Sequence, residues 1–330
     1  MGPLPKNIYE QQAANRRNTA LVVCAFILFF AFLGFGFDAF LLGFPPRTTD
    51  HDFGVPFPVA TLVALAYAGF TTARSLRSGD SAVLRSACAE PIPESDPAYR
   101  QLFNIADEMS IASGIVRPKL YLITDPDPNA FATGRDPAHA SIAVTQGLVR
   151  KLSREELQGV IAHEMSHIRN NDVRLMTVVA ALIGAVMLLV EFGLRTMQFG
   201  GGRKKSSSGG RSGGGAGLVL FVLWLFAMVV APLVSQLLAL AVSRQREYLA
   251  DASGAELTRN PGALASALEK IDAADEPTRS IKKGTGNLCI ADPLGRRANE
   301  REGFLADLLA THPPVGKRIT ALRAMAYQGA

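Results

Sequence analysis

His163 and His167 stand four positions apart, with Glu164 between them. On an α-helix that spacing puts both imidazoles on one face, a turn apart. Two ring nitrogens presented this way can hold one Zn2+, an ion well matched to imidazole and carboxylate donors. Glu164, turned to the adjoining face, is then placed as general base towards water that the metal acidifies. The resulting chemistry is hydrolysis of a polarised peptide carbonyl. Three fixed positions also arise by chance, as two unrelated histidines on one helix, so the reading turns on a third ligand.

A catalytic zinc site takes three protein ligands and leaves one position open. Of the five histidines, His51 and His139 fall in loops, and His312 is the one rival to a carboxylate. The better candidate is Glu247, in Ser243-Arg-Gln-Arg-Glu-Tyr-Leu-Ala-Asp251. Glu247 and Asp251 share a helical face. Glu247 could ligate the metal while Asp251 accepts a hydrogen bond from a ligand histidine, which fixes its tautomer and orientation. Ala250, Ala252, Ser253 and Gly254 are small enough to let this segment pack closely on the His163 helix. Taken alone, the segment reads more simply as an exposed charged helix, and Glu247 and His312 both stay open.

The elements that must position these groups are legible around them. Ser153 and Glu156 form a capping-box pattern that opens the histidine helix. Leu157, Val160, Ile161 and Ile168 give it an apolar face, and Asn170-Asn171 ends it. Upstream, helical periodicity runs from Tyr99 to Ala112, closed by Gly114 and Pro118. Strands are expected at Lys119–Thr124, Asn129–Thr133 (an edge) and Ala140–Thr145, with a breaker at Asp125–Pro128. A helix is expected over Ser243–Arg259, stopped by Asn260, and another from Pro261 to about Asp272. Glu276–Glu302 is charged and Gly-rich and is expected to be mobile. Short helices flank Thr311-His-Pro-Pro314.

Hydrophobic residues make up 48% of the 330, and they gather in four blocks: 19–44, 55–72, 176–190 and 218–242. A bilayer span needs roughly 20 apolar residues. Asp38 sits near the far end of the first block, where a carboxylate can reach the interface. Pro232 is a kink point in the fourth. Residues 200–217 form a Gly/Ser-rich, basic linker. The formal charge of +5 comes from Lys and Arg that flank the blocks, which points to topology rather than nucleic acid. Three scattered cysteines, Cys24, Cys88 and Cys289, argue against a disulfide framework. The expected fold class is α+β, mainly α: an integral membrane protein with four apolar helices and a zincin-like catalytic domain with a small β-sheet. Its expected parts are 1–75 (tail and first hairpin), 76–172 (sheet and histidine helix), 173–243 (second hairpin) and 244–330 (third ligand). Lys6, Arg16 and Arg17 before the first block, and Arg74, Arg77 and Arg85 after the second, put the N-terminus and catalytic parts in the cytoplasm. Because His167 and Glu247 must meet, the chain between them crosses the membrane an even number of times. Arg195, Arg203, Lys204, Lys205 and Arg211 in an outer loop oppose the rule; two further spans are nevertheless the preferred reading.

His-Glu-Met-Ser-His-Ile-Arg-Asn-Asn-Asp172, Ser243-Arg-Gln-Arg-Glu-Tyr-Leu-Ala-Asp-Ala252 and Thr311-His-Pro-Pro-Val-Gly-Lys-Arg-Ile319 closely resemble the HtpX-like membrane zinc metalloproteases. These are gluzincin-type relatives of the CAAX prenyl endopeptidases. Asn129-Ala-Phe-Ala-Thr-Gly134 and Thr145-Gln-Gly-Leu148 match in the same order, so the resemblance covers nearly the whole chain. It departs in a longer N-terminal tail and in the Gly/Ser-rich linker. The resemblance implies one Zn2+ per chain on His163, His167 and Glu247, with Glu164 as catalytic base and Asp251 behind a ligand. It implies that Asn129, Ala130, Phe131, Ala132 and Thr133 pair as an edge strand with substrate backbone. It implies a role for His312 in stabilising the oxyanion, and an Arg318 paired with a carboxylate near the site. It further implies a multi-pass protein of the bacterial inner membrane that degrades damaged or unfolded membrane proteins without ATP; the absence of a P-loop pattern agrees. Two rivals share the motifs: a processing peptidase for lipidated peptides, and a non-catalytic scaffold with a structural metal.

Overall fold

In the computed structural model, residues 8–41, 57–184, 186, 244–274, 280, 286–291 and 313–328 are described. The helices are α1 (Ile8–Leu41), α2 (Val59–Ser86), α3 (Arg100–Ser113), α4 (Gln146–Lys151) and α5 (Arg154–Arg169). They continue with α6 (172–184), α7 (Arg244–Thr258), α8 (Pro261–Asp272) and α9 (Val315–Gln328). The strands are β1 (Ala89–Pro91), β2 (Lys119–Ile123), β3 (Ala130–Gly134) and β4 (Ala140–Thr145). The chain divides into two compact units, one of Met1–Thr19, Ser75–Ala181 and Ala239–Ala330, the other of Ala20–Arg74 and Leu182–Leu238.

The first unit holds the sheet and the histidine helix. Its strand order is β1-β2-β4-β3, with β2 and β4 parallel and the outer pairs antiparallel. β1 escaped the sequence because three residues ending in Pro91 carry no strand signal; Pro91 is tolerated at a sheet edge, where its missing N–H breaks no ladder. α5 begins as its capping box dictates: Glu156 N–H donates to Ser153 Oγ (3.3 Å) and Ser153 N–H donates to Glu156 Oε2 (2.7 Å). Leu157, Val160, Ile161 and Ile168 are all buried against α3, α7 and α8. Leu102, Ile105 and Met109 of α3 and Leu264, Leu268 and Ile271 of α8 complete that core. α3 ends at Gly114, whose φ of 70° is the left-handed conformation that closes a helix. α8 starts at Pro261 with the Asn260 side chain accepting from Ala263 N–H, as its sequence requires. Residues 288–291, expected to be mobile, are instead buried. Leu288 and Cys289 pack with Phe131 and Ala143, so a short apolar run inside a polar segment was enough to fix it.

In the second unit, α1 and α2 supply the apolar helices. Among the described residues, two stretches, Ala13–Gly36 and Val59–Ser86, are long and apolar enough to cross a membrane by length and composition. Only 29% and 17% of their most apolar windows are buried, unlike the core helix of a soluble protein. Leu28, Phe32, Val63 and Phe70 are each more than 60% exposed, a surface that suits lipid. Asp38 does more than reach an interface: its carboxylate accepts the Ala60 and Thr61 N–H groups (2.8 and 2.7 Å) and the Thr61 hydroxyl (2.6 Å), capping the start of α2. α2 also continues to Ser86, past the apolar block that ends at Thr72, with a kink at Ser78. The third block is helical as far as it is described, and the fourth lies outside the described residues.

Candidate metal centre

α5 and α7 pack closely enough to share a site because α7 carries a glycine where they touch. A Cβ on Gly254 would lie 3.1 Å from His163 N and 3.2 Å from its Cα. Across this contact, Glu247 faces both histidines. Its Oε2 is 3.8 Å from His163 Nε2 and its Oε1 is 3.6 Å from His167 Nε2. The donor atoms of His163, His167 and Glu247 all lie within 4.8 Å of one another. The two rings stand perpendicular, at an interplanar angle of 88°, so both Nε2 atoms converge rather than stack. Two imidazoles and a carboxylate, all buried, are a donor set that fits Zn2+.

Each histidine has a carboxylate behind it. His163 Nδ1 lies 3.0 Å from Asp251 Oδ1. His167 Nδ1 lies 3.1 Å from Asp172 Oδ2. Asp172 closes the motif that begins at His163, and the spacing of that motif does not announce this contact. The bond on His167 Nδ1 leaves its Nε2 to face the metal position; His163 Nε2 faces Glu247 and also lies 3.5 Å from Arg318 Nη2. Burial, the largest influence on His163, holds its pKa below the ordinary value. Burial also pulls on His167, but its bond to Asp172 and the charge of Glu247 together outweigh it and raise the ring to about 9.

Arg318 of α9 is fully buried beneath the site. Its Nε and Nη2 donate to Asp251 Oδ2 and Oδ1 (2.8 and 2.7 Å), a bidentate pair. Its Nη1 donates to Ile290 O (2.8 Å) and stands 3.4 Å from Glu247 Oε2. The pairing foreseen for this arginine is therefore with two carboxylates. Burial alone would raise the Asp251 carboxyl, but the guanidinium overrides it and holds the group down to about 2.

Glu164 is equally buried, and burial lifts its pKa to about 7. The Ala132 backbone N–H of β3 works against that rise, and β3 packs on α5, so the edge strand runs alongside the proposed base. Upstream on the same edge, Ala130 O accepts from Ile290 N–H (2.9 Å), and Phe131 forms an antiparallel bridge with Cys289. Asn129 lies just before the strand, its side chain donating to Ala291 O (3.1 Å). His312 lies outside the described residues.

The fold and the site together are those of a metalloprotease whose apolar helices suit a membrane. Residues 98–326 match Peptidase family M48, and the chain belongs to that family. It is 39% identical to a "Protease HtpX homolog" from Caldanaerobacter subterraneus subsp. tengcongensis, over 97% of this chain and 98% of the relative. It is 37% identical to one from Limosilactobacillus reuteri over 96% and 100%, and 38% to one from Tropheryma whipplei over 97% and 99%. Among solved structures, that titled "Crystal Structure of S. mikatae Ste24p" aligns with a TM-score of 0.46 and 18% identity, over 96% of this chain and 66% of the other.

Proposed function

We propose that this chain is a membrane-bound zinc endopeptidase of protein quality control, acting without ATP on damaged or misfolded membrane proteins. The observation that supports it most is the convergence of His163, His167 and Glu247 beside Glu164 and an edge strand. Bound zinc would supply Lewis-acid polarisation of a carbonyl and a lowered pKa for water. The protein's own groups do the rest. His163 and His167 present Nε2, held by Asp251 and Asp172, and Glu247 gives the third bond. Among the described residues the donor group has three members, which is what a catalytic site with an open position needs. Glu164 takes a proton from water and returns it to the leaving amine. Asn129–Thr133 pairs with the extended backbone of the substrate; because Ile290 holds Ala130 O, that pairing either starts at Ala132 or displaces the 289–291 segment. His312 steadies the oxyanion. Four spans place the catalytic parts on the cytoplasmic side of a bacterial inner membrane, with one zinc per chain.

The test uses full-length protein in detergent, a denatured soluble polypeptide, a destabilised membrane protein and a lipidated peptide. Cleavage of the first two that stops with chelator, returns with zinc and ignores ATP is the expected result. Cleavage of the lipidated peptide alone would replace quality control with peptide processing.

A further inference from the structure

The geometry points to Asn15 as a positioning residue for the metal ligands, an inference that rests on the metal-site reading above. Asn15 lies on α1, ahead of the apolar block that starts at Thr19, and is 4% exposed. Its Nδ2 donates to Asp172 Oδ1 (2.6 Å) and to Asn170 O (3.2 Å). Its Oδ1 accepts from Arg246 Nη1 (3.2 Å). The amide orientation is fixed by chemistry: the nitrogen meets two acceptors and the oxygen meets a cation, so a flipped side chain would oppose all three.

Each contact bears on a ligand. Asp172 spends its other oxygen, Oδ2, on His167 Nδ1 at 3.1 Å. Asn170 is the residue on which α5 ends. Arg246 precedes Glu247 on α7. One side chain thus joins the end of the histidine helix to the start of the glutamate helix, and pins the carboxylate that orients His167. These groups lie 155 to 231 positions from Asn15 in sequence, so nothing local holds them together. A carboxylate that supports a ligand histidine acts only if its own orientation is fixed. Without Asn15, Asp172 can rotate towards Arg246, and His167 loses its directed partner. Asn15, at the start of the first candidate span, is thereby part of the metal-binding unit.

The test measures zinc affinity by chelator competition on full-length protein in detergent, in a Glu164→Gln background to prevent self-cleavage. Asn15→Ala is expected to weaken zinc by about tenfold, the low end of what loss of support behind a ligand costs, and to shift the visible spectrum of the cobalt form. Asn260→Ala, which removes the α8 cap, serves as a structural control that lowers stability and leaves both readouts alone. Asn15→Asp, which sets a second carboxylate against Asp172, is expected to be worse than Ala. If Asn15→Ala folds poorly, the double-mutant cycle with Asp172→Asn decides: coupling appears as no further loss of affinity when Asn15 is removed from Asp172→Asn. Unchanged affinity and spectrum in Asn15→Ala, or additive losses in the cycle, would overturn the proposal and leave the metal site standing. A parent protein that takes up no zinc would instead remove the metal-site reading on which it rests.

Discussion

Along α5 the inward face is largely apolar: Leu157, Val160, Ile161, Met165 and Ile168 are all buried, interrupted by the two histidines, Glu164, Ser166 and, in the first turn, Glu156. Along α7, Arg246, Glu247 and Asp251 are buried too, while apolar contact comes from Ala250, Ala255 and the partly buried Leu257. α5 is anchored by removal of hydrocarbon from water, a non-directional force that tolerates small shifts. α7 is anchored by Arg318 and by the Asn15–Arg246 contact, which are directional. The first arrangement sets where the histidines are; the second sets where the third ligand points. A site divided this way should lose stability from damage to α5 and lose metal geometry from damage to α7.

The largest effect expected isolates chemistry from both helices. Glu164→Gln keeps the shape and removes the base, so cleavage should fall by about 10²–10⁴-fold with zinc content unchanged. Next, Arg318→Met strands two buried carboxylates, Asp251 and Glu247. Loss of one partner from a buried ion pair costs about 3–5 kcal/mol, read by denaturant unfolding of the metal-free protein.

The sharpest contrast sets Ile161→Ala beside Asp251→Asn. Ile161→Ala opens a cavity in the α5 core and should cost about 2–5 kcal/mol of stability while zinc affinity stays near that of the parent. Asp251→Asn should instead weaken zinc by about 10–100-fold. Equal losses of affinity in the two would erase the distinction between the helices. The smallest effect is at the start of α5, where Ser153→Ala removes half of the capping box and should cost about 1 kcal/mol, seen as a lower unfolding midpoint.

What was legible in the sequence follows the same division. Periodicity and local capping placed α5, α8, three strands and the histidine pair, because those signals lie within a few residues of each other. Glu247 and Asp251 could be nominated by their spacing, but spacing did not say that a polar segment is buried. The depth of Arg318 was hidden for the same reason: its partners are 67 positions away in Asp251 and 28 away in Ile290. Asp172 and Asn15 were missed as supports because a contact across 157 positions leaves no periodic trace. The burial of 288–291 was masked by charged neighbours, since composition over a wide window drowns a four-residue apolar run.

The account stands on Glu247 completing the metal site with His163 and His167. Its most direct test is zinc stoichiometry by elemental analysis after dialysis, comparing the parent with Glu247→Ala and His312→Ala. One zinc per chain in the parent and in His312→Ala, with near-complete loss in Glu247→Ala, is the predicted result. Full retention of zinc in Glu247→Ala, or its loss only in His312→Ala, would contradict it.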